Sequence, residues 1–234
     1  MSWKDKFPKD NIYFETSRGI LYCGDCLEIM KEFPKNSIDL VLTDPPYNIC
    51  KDYGLYKDNM KPKDYLKWIT IIYSHFYSLL IDKSHLTFTC AQKYIWFFKD
   101  MLESCGFVFR HLAIWYNPAR KGGSWPGQWV YSYEPIMDFT KGGFKKLNNG
   151  NSVGFTDVWV ETSPKNIKHP AKRPVSCWTD LVFLLSSDND LVLDSFIGSG
   201  TTAVAAEKLN RRWIGIEINP EYCEIAKQRI LKEL

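Results

Sequence analysis

No stretch of this 234-residue chain is long and apolar enough to span a bilayer. The greasiest segment, 68–81, is short and broken by Ser74 and His75, and the first residues, Met1 to Lys6, carry no apolar leader core. A cytoplasmic protein without a membrane partner is therefore expected. Charge of one sign is also scarce. A net charge of +3 excludes a chain that binds polyanions over its whole surface. A metal-ligand set is missing too, because Cys23 and Cys26 form a lone Cys-x-x-Cys and no second Cys/His pair stands at metal spacing. No metal is expected. The seven cysteines are scattered and odd in number, which fits reduced, mostly buried thiols rather than a disulfide framework. With 45% hydrophobic and 24% charged residues the composition is that of an ordinary globular chain, and the length suits one α/β domain with a sizeable core.

What is present is concentrated in two places. The first is Asp44-Pro45-Pro46-Tyr47, which follows an apolar, β-branched run over 38–43 that reads as a buried parallel strand. Open α/β sheets bind ligands at the carboxyl ends of such strands. The prolines fix φ and offer carbonyls without N–H groups, Asp44 adds an acceptor, and Tyr47 offers a flat face. A planar ring with an exocyclic –NH2 fits these groups, stacked on Tyr47 with its amino hydrogens on Asp44 and the Pro45 carbonyl. That describes a nucleobase. Taken alone, Asp-Pro-Pro is equally a strand-ending turn.

The second place lies about 150 residues downstream. The strand ending at Asp194 runs into Ser195-Phe196-Ile197-Gly198-Ser199-Gly200-Thr201-Thr202 and then into a helix-forming run, 203–209. The glycines let backbone pass close to a ligand. A further strand over 212–217 ends in Glu217, about 20 residues past the first glycine, where an acid can accept from ribose hydroxyls.

Together these residues resemble the amino-group DNA methyltransferases that use S-adenosylmethionine. In that family Asp-Pro-Pro-Tyr is the catalytic motif and Phe-x-Gly-x-Gly, here Phe196, Gly198 and Gly200, is the cofactor loop. With the catalytic motif first and the cofactor loop last, the chain looks like the permuted β class. The resemblance implies S-adenosylmethionine as cofactor and double-stranded DNA as partner. A homodimer and a separate cognate endonuclease would also fit. By the same resemblance Asp194 and Thr201 border the cofactor, and Asp25 contacts its adenine, although Asp25 is equally placed to cap a helix starting at Cys26. His169-Pro170-Ala171-Lys172-Arg173-Pro174 is similar to the family's His-Pro-x-x-Lys-Pro segment, with Arg173 where Lys is usual. That assigns Arg173 to the methionine end of the cofactor, although an Arg fork binds differently from a Lys point charge.

Between Asn117 and Val175 the bases Arg120, Lys121, Lys141, Lys145, Lys146, Lys165, Lys168, Lys172 and Arg173 outnumber the acids Glu134, Asp138, Asp157 and Glu161. Basic charge is thus concentrated in the middle of the chain, as a phosphate-facing surface needs. The segment 117–133 mixes Gly, Pro and Trp with bases and reads as a loop, and aromatics among cations are what a nucleic-acid groove uses. Arg120, Lys121, Trp125, Lys145 and Lys146 are the expected DNA contacts. A solvated polar face and tryptophans that pin the loop to the body explain the same residues. The stretch 48–61 reads as a lid or a plain connector.

Apolar spacing predicts helices over 26–33, from Pro62 to about Leu80 with Trp68 on the buried stripe, over 94–105, from Val175 to Leu185, and after Asn219-Pro220. Seven strands are expected, in a Rossmann-like α/β sheet that is mostly parallel with an antiparallel edge hairpin. The catalytic and cofactor strands should be neighbours at the point where strand order reverses. Residues 1–234 form a single domain on this reading: a catalytic half (19–116), a small target-recognition insertion (about 141–168) and a cofactor half (169–234). Because Asp leads the motif, the family resemblance favours adenine-N6 as the methylated group; cytosine-N4 is the alternative. A loose Gly-x-Gly-x-x-Ala fingerprint with Glu217 also admits a dehydrogenase, which leaves 44–47 unexplained. A catalytically silent DNA-binding module is the remaining alternative.

Overall fold

Five short strands form the parallel centre of the sheet. They are β2 (Gly19–Cys23), β3 (Ile38–Thr43), β4 (Leu80–Thr89), β8 (Leu191–Asp194) and β9 (Arg212–Glu217). Most of their residues are buried on both faces, so β2, β8, β9 and residues 40–42 of β3 read as apolar runs rather than alternating ones, whereas β4 opens through the polar stretch Asp82 to His85. The computed structural model describes residues 2–120, 129–148, 155–164 and 173–234. Around the centre lie β1 (Ile12–Glu15), β5 (Phe107–Tyr116), β6 (Tyr133–Lys141) and β7 (Val158–Val160), giving the sheet order β1-β2-β9-β8-β3-β4-β6-β5-β7. Strands β2, β9, β8, β3 and β4 pair in parallel, β6 pairs antiparallel with both β4 and β5, and β7 pairs parallel with β5.

Among the described residues the sheet therefore has nine strands where seven were expected. β1 adds an antiparallel edge beside β2, and β7 covers the outer side of the β5–β6 hairpin. Both are short and alternate between half-buried and exposed, so neither leaves an apolar run.

Helices cover both faces. Residues of α1 (Cys26–Met30), α2 (Pro62–Leu79) and α3 (Ile95–Ser104) share one core cluster with Ile20, Tyr22, Val41, Leu86, Phe88 and Ile214. On the other face α4 (Val175–Leu185) packs on Leu40, Leu42, Trp115 and Val192, while α5 (Thr201–Lys208) and α6 (Pro220–Leu231) pack on Leu21 and Trp213. Successive strand residues point to opposite faces, so Leu40, Val41 and Leu42 alternate between the two cores. In α2 the fully buried Tyr65, Ile69, Ile72, Tyr73 and Phe76 recur at three- and four-residue spacing, each large apolar side chain contributing roughly 1.5–3 kcal/mol. No helix among the described residues is long and apolar enough to cross a membrane.

The order positions the site. From β8 the chain passes through α5 to β9 on one side, and from β3 it passes through α2 to β4 on the other. β8 and β3 are hydrogen-bonded neighbours, with Leu40 opposite Val192 and Val41 opposite Leu193. Strand order thus reverses between the strand that ends before Asp44 and the strand that ends in Asp194, as expected.

Candidate active site

Acids stand in a row along the carboxyl edge of the sheet, because the strands that carry them end there side by side. In sheet order they are Asp25 after β2, Glu217 ending β9, Asp194 ending β8, Asp44 after β3, and Glu134 at the start of the antiparallel β6. A cavity of about 330 Å³ opens along this edge and is lined by Asp25, Glu217, Asp194, Asp44, Phe196, Gly198, Thr201, Pro46 and Arg173. Most of the expected site residues are brought together here.

At the β8 end the backbone does most of the holding. Gly198 and Gly200 adopt φ of 51° and 82°, and Gly200 caps α5 in the left-handed region that disfavours side chains. A Cβ on Gly200 would lie 3.0 Å from the Ala226 Cβ. Glu217 is fixed through both oxygens, Oε2 accepting from the Gly198 N–H at 3.0 Å and Oε1 from the Asn219 N–H at 2.9 Å. Burial pushes its carboxyl up to about 7 despite these two bonds. Asp194 accepts from Thr43 at 2.7 Å, Thr202 at 2.5 Å and the Phe196 N–H at 3.1 Å. Burial still raises it to about 6. The Thr43 bond ties the end of β8, from which the glycine loop departs, to the end of β3. Asp25 serves as the N-cap of α1, accepting from the Leu27 N–H at 2.7 Å, and also lines the cavity.

The loop 48–61 forms part of the cavity wall through Tyr53, Tyr56 and Met60. Buried Asp58 organises it by accepting from the N–H groups of Asn48 at 2.6 Å and Ile49 at 2.9 Å. The Asn219 side chain reaches across to the Tyr53 carbonyl at 3.3 Å. Trp68 corrects the expectation of a core residue. It lines the cavity, stacked against Tyr56 at 6.1 Å and edge-on to Phe196 at 5.8 Å, because α2 presents it one position off the fully buried stripe.

At the β3 end the polar contacts converge on Asp44, whose side chain is 13% exposed. Its Oδ1 accepts from Arg173 Nη2 at 2.7 Å, from the Tyr47 hydroxyl at 2.7 Å and from the Thr89 hydroxyl. Burial opposes ionisation, but the Arg173 charge and these hydrogen bonds outweigh it and hold the carboxyl below its ordinary range. Tyr47 lies turned inward, 9% exposed, with its hydroxyl also 2.9 Å from Glu134 Oε2 and accepting from Arg173 Nη2 at 2.9 Å. Burial and the two neighbouring carboxylates keep that hydroxyl protonated. Stacking of a base on Tyr47 would require a face of this buried ring to become accessible. Pro45 is buried beside it. Arg173 bridges Asp44 and Glu134 at this end of the cavity: its Nη2 is also 2.7 Å from Glu134 Oε2, and its guanidinium lies 5.2 Å from the Trp115 ring centre.

The expected DNA contacts divide. Arg120 extends from the end of β5 at this same edge, pairing with Glu134 and lying 5.7 Å from the Trp115 ring centre. Exposed Tyr116, Trp129, Tyr131 and Tyr133 stand on the same hairpin end. Lys121 and Trp125 lie outside the described residues, as do His169 and Lys172. Lys145 and Lys146 lie apart from Arg120. β6 runs antiparallel and returns the chain to the far edge, where Lys145 approaches Asp190, just before β8 begins, at 4.0 Å. They are not brought to the edge that carries Asp44. Glu134, Thr89, Thr43 and Thr202 were not anticipated. The one local hint was Glu134, an acid standing just before the buried apolar residues Pro135, Ile136 and Met137 of β6.

The family model described as DNA methylase, of the N6/N4 type, matches residues 38–228. The chain belongs to this family. It is accordingly a DNA amino-methyltransferase, acting on the adenine-N6 or cytosine-N4 type of amino group. Among its relatives is the Type II methyltransferase M.HpaI of Haemophilus parainfluenzae, 31% identical over 235 residues, covering 91% of this chain and 74% of that protein. The solved M1.HpyAVI–SAM complex is 28% identical, with a TM-score of 0.72, and covers 89% of the methylase and 98% of that chain. The cytosine-N4-specific PvuII DNA methyltransferase, at 22% identity and a TM-score of 0.77 over 96% of the methylase and 94% of that chain, shares the fold.

Proposed function

We propose that the methylase uses S-adenosylmethionine to methylate N6 of an adenine flipped out of double-stranded DNA, with Asp44 as the catalytic residue. The observation that carries this reading is the position of Asp44. It stands after β3 at the strand reversal, lines the cavity beside Asp194 and the glycine loop, and accepts its described hydrogen bonds through Oδ1 alone. The order of the motifs supports the permuted β class.

The cavity residues fit the cofactor. Glu217 would hold the ribose hydroxyls, and Asp25 and Phe196 would border the adenine. Gly198 and Gly200 leave room beside the backbone, and Asp194 would stand near the positively charged end. The cofactor supplies an electrophilic methyl group on a sulfonium centre. What the protein must improve is the nucleophile, since the lone pair of an exocyclic amine is delocalised into the base. Asp44 and the Pro45 carbonyl would accept its two hydrogens, favouring rehybridisation and stabilising the positive charge that develops on nitrogen. Aligning nitrogen with methyl and sulfur contributes up to roughly 7–11 kcal/mol. The extruded base costs a few kcal/mol of stacking and pairing, which Arg120 and the exposed tyrosines of the β5–β6 hairpin would offset on phosphate and base faces. Asp at the head of the motif favours adenine.

Incubating the methylase with tritiated S-adenosylmethionine and DNA from an unmethylated host, then digesting to nucleosides, tests this. Label in N6-methyldeoxyadenosine, absent with Asp44→Ala, is the expected result. Label in N4-methylcytosine would transfer the same site to the other base, and no label in any nucleoside would leave a silent DNA-binding module.

A further inference from the structure

The catalytic end of the cavity holds more charge than one carboxylate requires. Asp44 and Glu134 face two guanidinium groups, and Arg173 Nη2 is shared among Asp44 Oδ1 at 2.7 Å, Glu134 Oε2 at 2.7 Å and the Tyr47 hydroxyl at 2.9 Å. Arg173 Nη1 faces the other Glu134 oxygen at 3.4 Å, and Arg120 occupies that same oxygen. The Tyr47 hydroxyl has one proton for two carboxylates, Asp44 at 2.7 Å and Glu134 at 2.9 Å. Among the described residues the buried Arg173 Nε has no hydrogen-bond partner, and the guanidinium is held through its two terminal nitrogens.

This arrangement bears on the role proposed for Asp44, on which the inference rests. A guanidinium fixed on Asp44 offsets the negative charge needed to stabilise a nitrogen that is becoming positive, and it occupies lone pairs on the acceptor. A second carboxylate within reach of the same guanidinium relieves both effects. We propose that Glu134 is a positioning residue for methyl transfer: it competes with Asp44 for Arg173, and by drawing that guanidinium towards itself leaves Asp44 free to accept the hydrogens of the target amine. Neutralising Glu134 leaves Arg173 with Asp44 as its sole carboxylate partner among the described residues, with Arg120 and the nearby Lys51 adding further positive charge. Glu134 touches neither cofactor nor base in this account and acts through Arg173.

The test compares first-turnover methyl transfer to unmethylated host DNA at saturating tritiated cofactor and DNA for the intact methylase and for Asp44→Ala, Glu134→Gln, Glu134→Asp, Arg173→Gln and Glu134→Gln/Arg173→Gln. Cofactor affinity and melting temperature are measured in parallel. Glu134→Gln is expected to slow the first turnover roughly tenfold or more, as one unbalanced charge close to the reacting centre does at protein-like dielectric, with cofactor affinity unchanged. Glu134→Asp, which keeps the charge, is expected to stay within a few-fold of the intact enzyme. In the Arg173→Gln background the Glu134→Gln change is expected to cost nothing further. Full activity in Glu134→Gln, equal losses in Glu134→Gln and Glu134→Asp, or losses that multiply in the double variant would overturn the proposal. Should Arg173→Gln be too slow to time, the Gln and Asp variants of Glu134 decide alone. An active Asp44→Ala would instead remove the catalytic role of Asp44, an outcome distinct from failure at Glu134.

Discussion

Acidification should loosen the cofactor while tightening the empty fold, and Glu217 is the group responsible. Burial lifts its carboxyl from an ordinary 4.5 to about 7, even with the Gly198 and Asn219 N–H groups on its oxygens. Between these two values the folded protein holds a proton that the unfolded chain has released, so stability falls as pH rises through the window. At pH 8 the ionised, buried carboxylate costs roughly 3 kcal/mol relative to acid conditions. Asp194, raised to about 6, adds a contribution of the same sign. Cofactor binding has the opposite dependence. In the role proposed for Glu217, ribose hydroxyls donate to its ionised form, which at pH 6 is present in about one molecule in ten, so affinity should be about tenfold weaker at pH 6 than at pH 8. Isothermal titration of S-adenosylmethionine from pH 6 to 8, with melting curves of the empty protein, reads both. The cofactor's own α-amino group titrates at about 7.7–8.0, and Glu217→Gln controls for it because that group is common to both proteins. The ratio of the two affinities should change with pH, and the melting temperature of the variant should respond less to acid. A ratio that stays constant from pH 6 to 8 would refute the assignment of Glu217 to the ribose.

Gly200→Ala should destabilise the fold by about 1–3 kcal/mol, read as a lowered melting temperature, because it places a side chain at φ 82° with its Cβ 3.0 Å from that of Ala226. Asn219→Ala removes the α6 cap on the Glu221 N–H and the bond to the Tyr53 carbonyl. It should cost about 1 kcal/mol of stability and weaken cofactor binding through the loop 48–61, measured by melting and titration. Arg120→Gln should weaken DNA binding with a shallower salt dependence, the slope of log affinity against log salt falling by about 0.9 for one lost phosphate contact. An unchanged slope would confine Arg120 to its pairing with Glu134.

The two motifs were legible because each residue type has a narrow physical role where it stands. Gly200 is needed at a positive φ, Asp44 follows an apolar strand, and Glu217 ends another. Most of the parallel core was legible as apolar runs, but the first half of β4, polar from Asp82 to His85, was not, and only its end at 86–89 was read as strand. β1 and β7 were not, since a four-residue and a three-residue edge strand lack a period long enough to read. Contacts distant in sequence carried no local signal either. Arg173 meets Asp44 and Glu134 across 129 and 39 residues, and no spacing rule links them. Counting charges also failed to locate Lys145, because the count cannot tell that β6 carries the chain back to the opposite edge of the sheet. Trp68 was misread because its helical spacing fits a core stripe as well as it fits a cavity wall.

The central claim is that Asp44 directs methyl transfer to an exocyclic amine of DNA, and it is tested most directly in a host that has no DNA methylation of its own. The methylase and its Asp44→Ala variant are expressed there, and the host DNA is sequenced by a method that reports modified adenine and modified cytosine separately. N6-methyladenine recurring at one short motif, absent with the variant, is the predicted result. Unmodified DNA from folded, cofactor-binding methylase, or methylation that persists in Asp44→Ala, would contradict it.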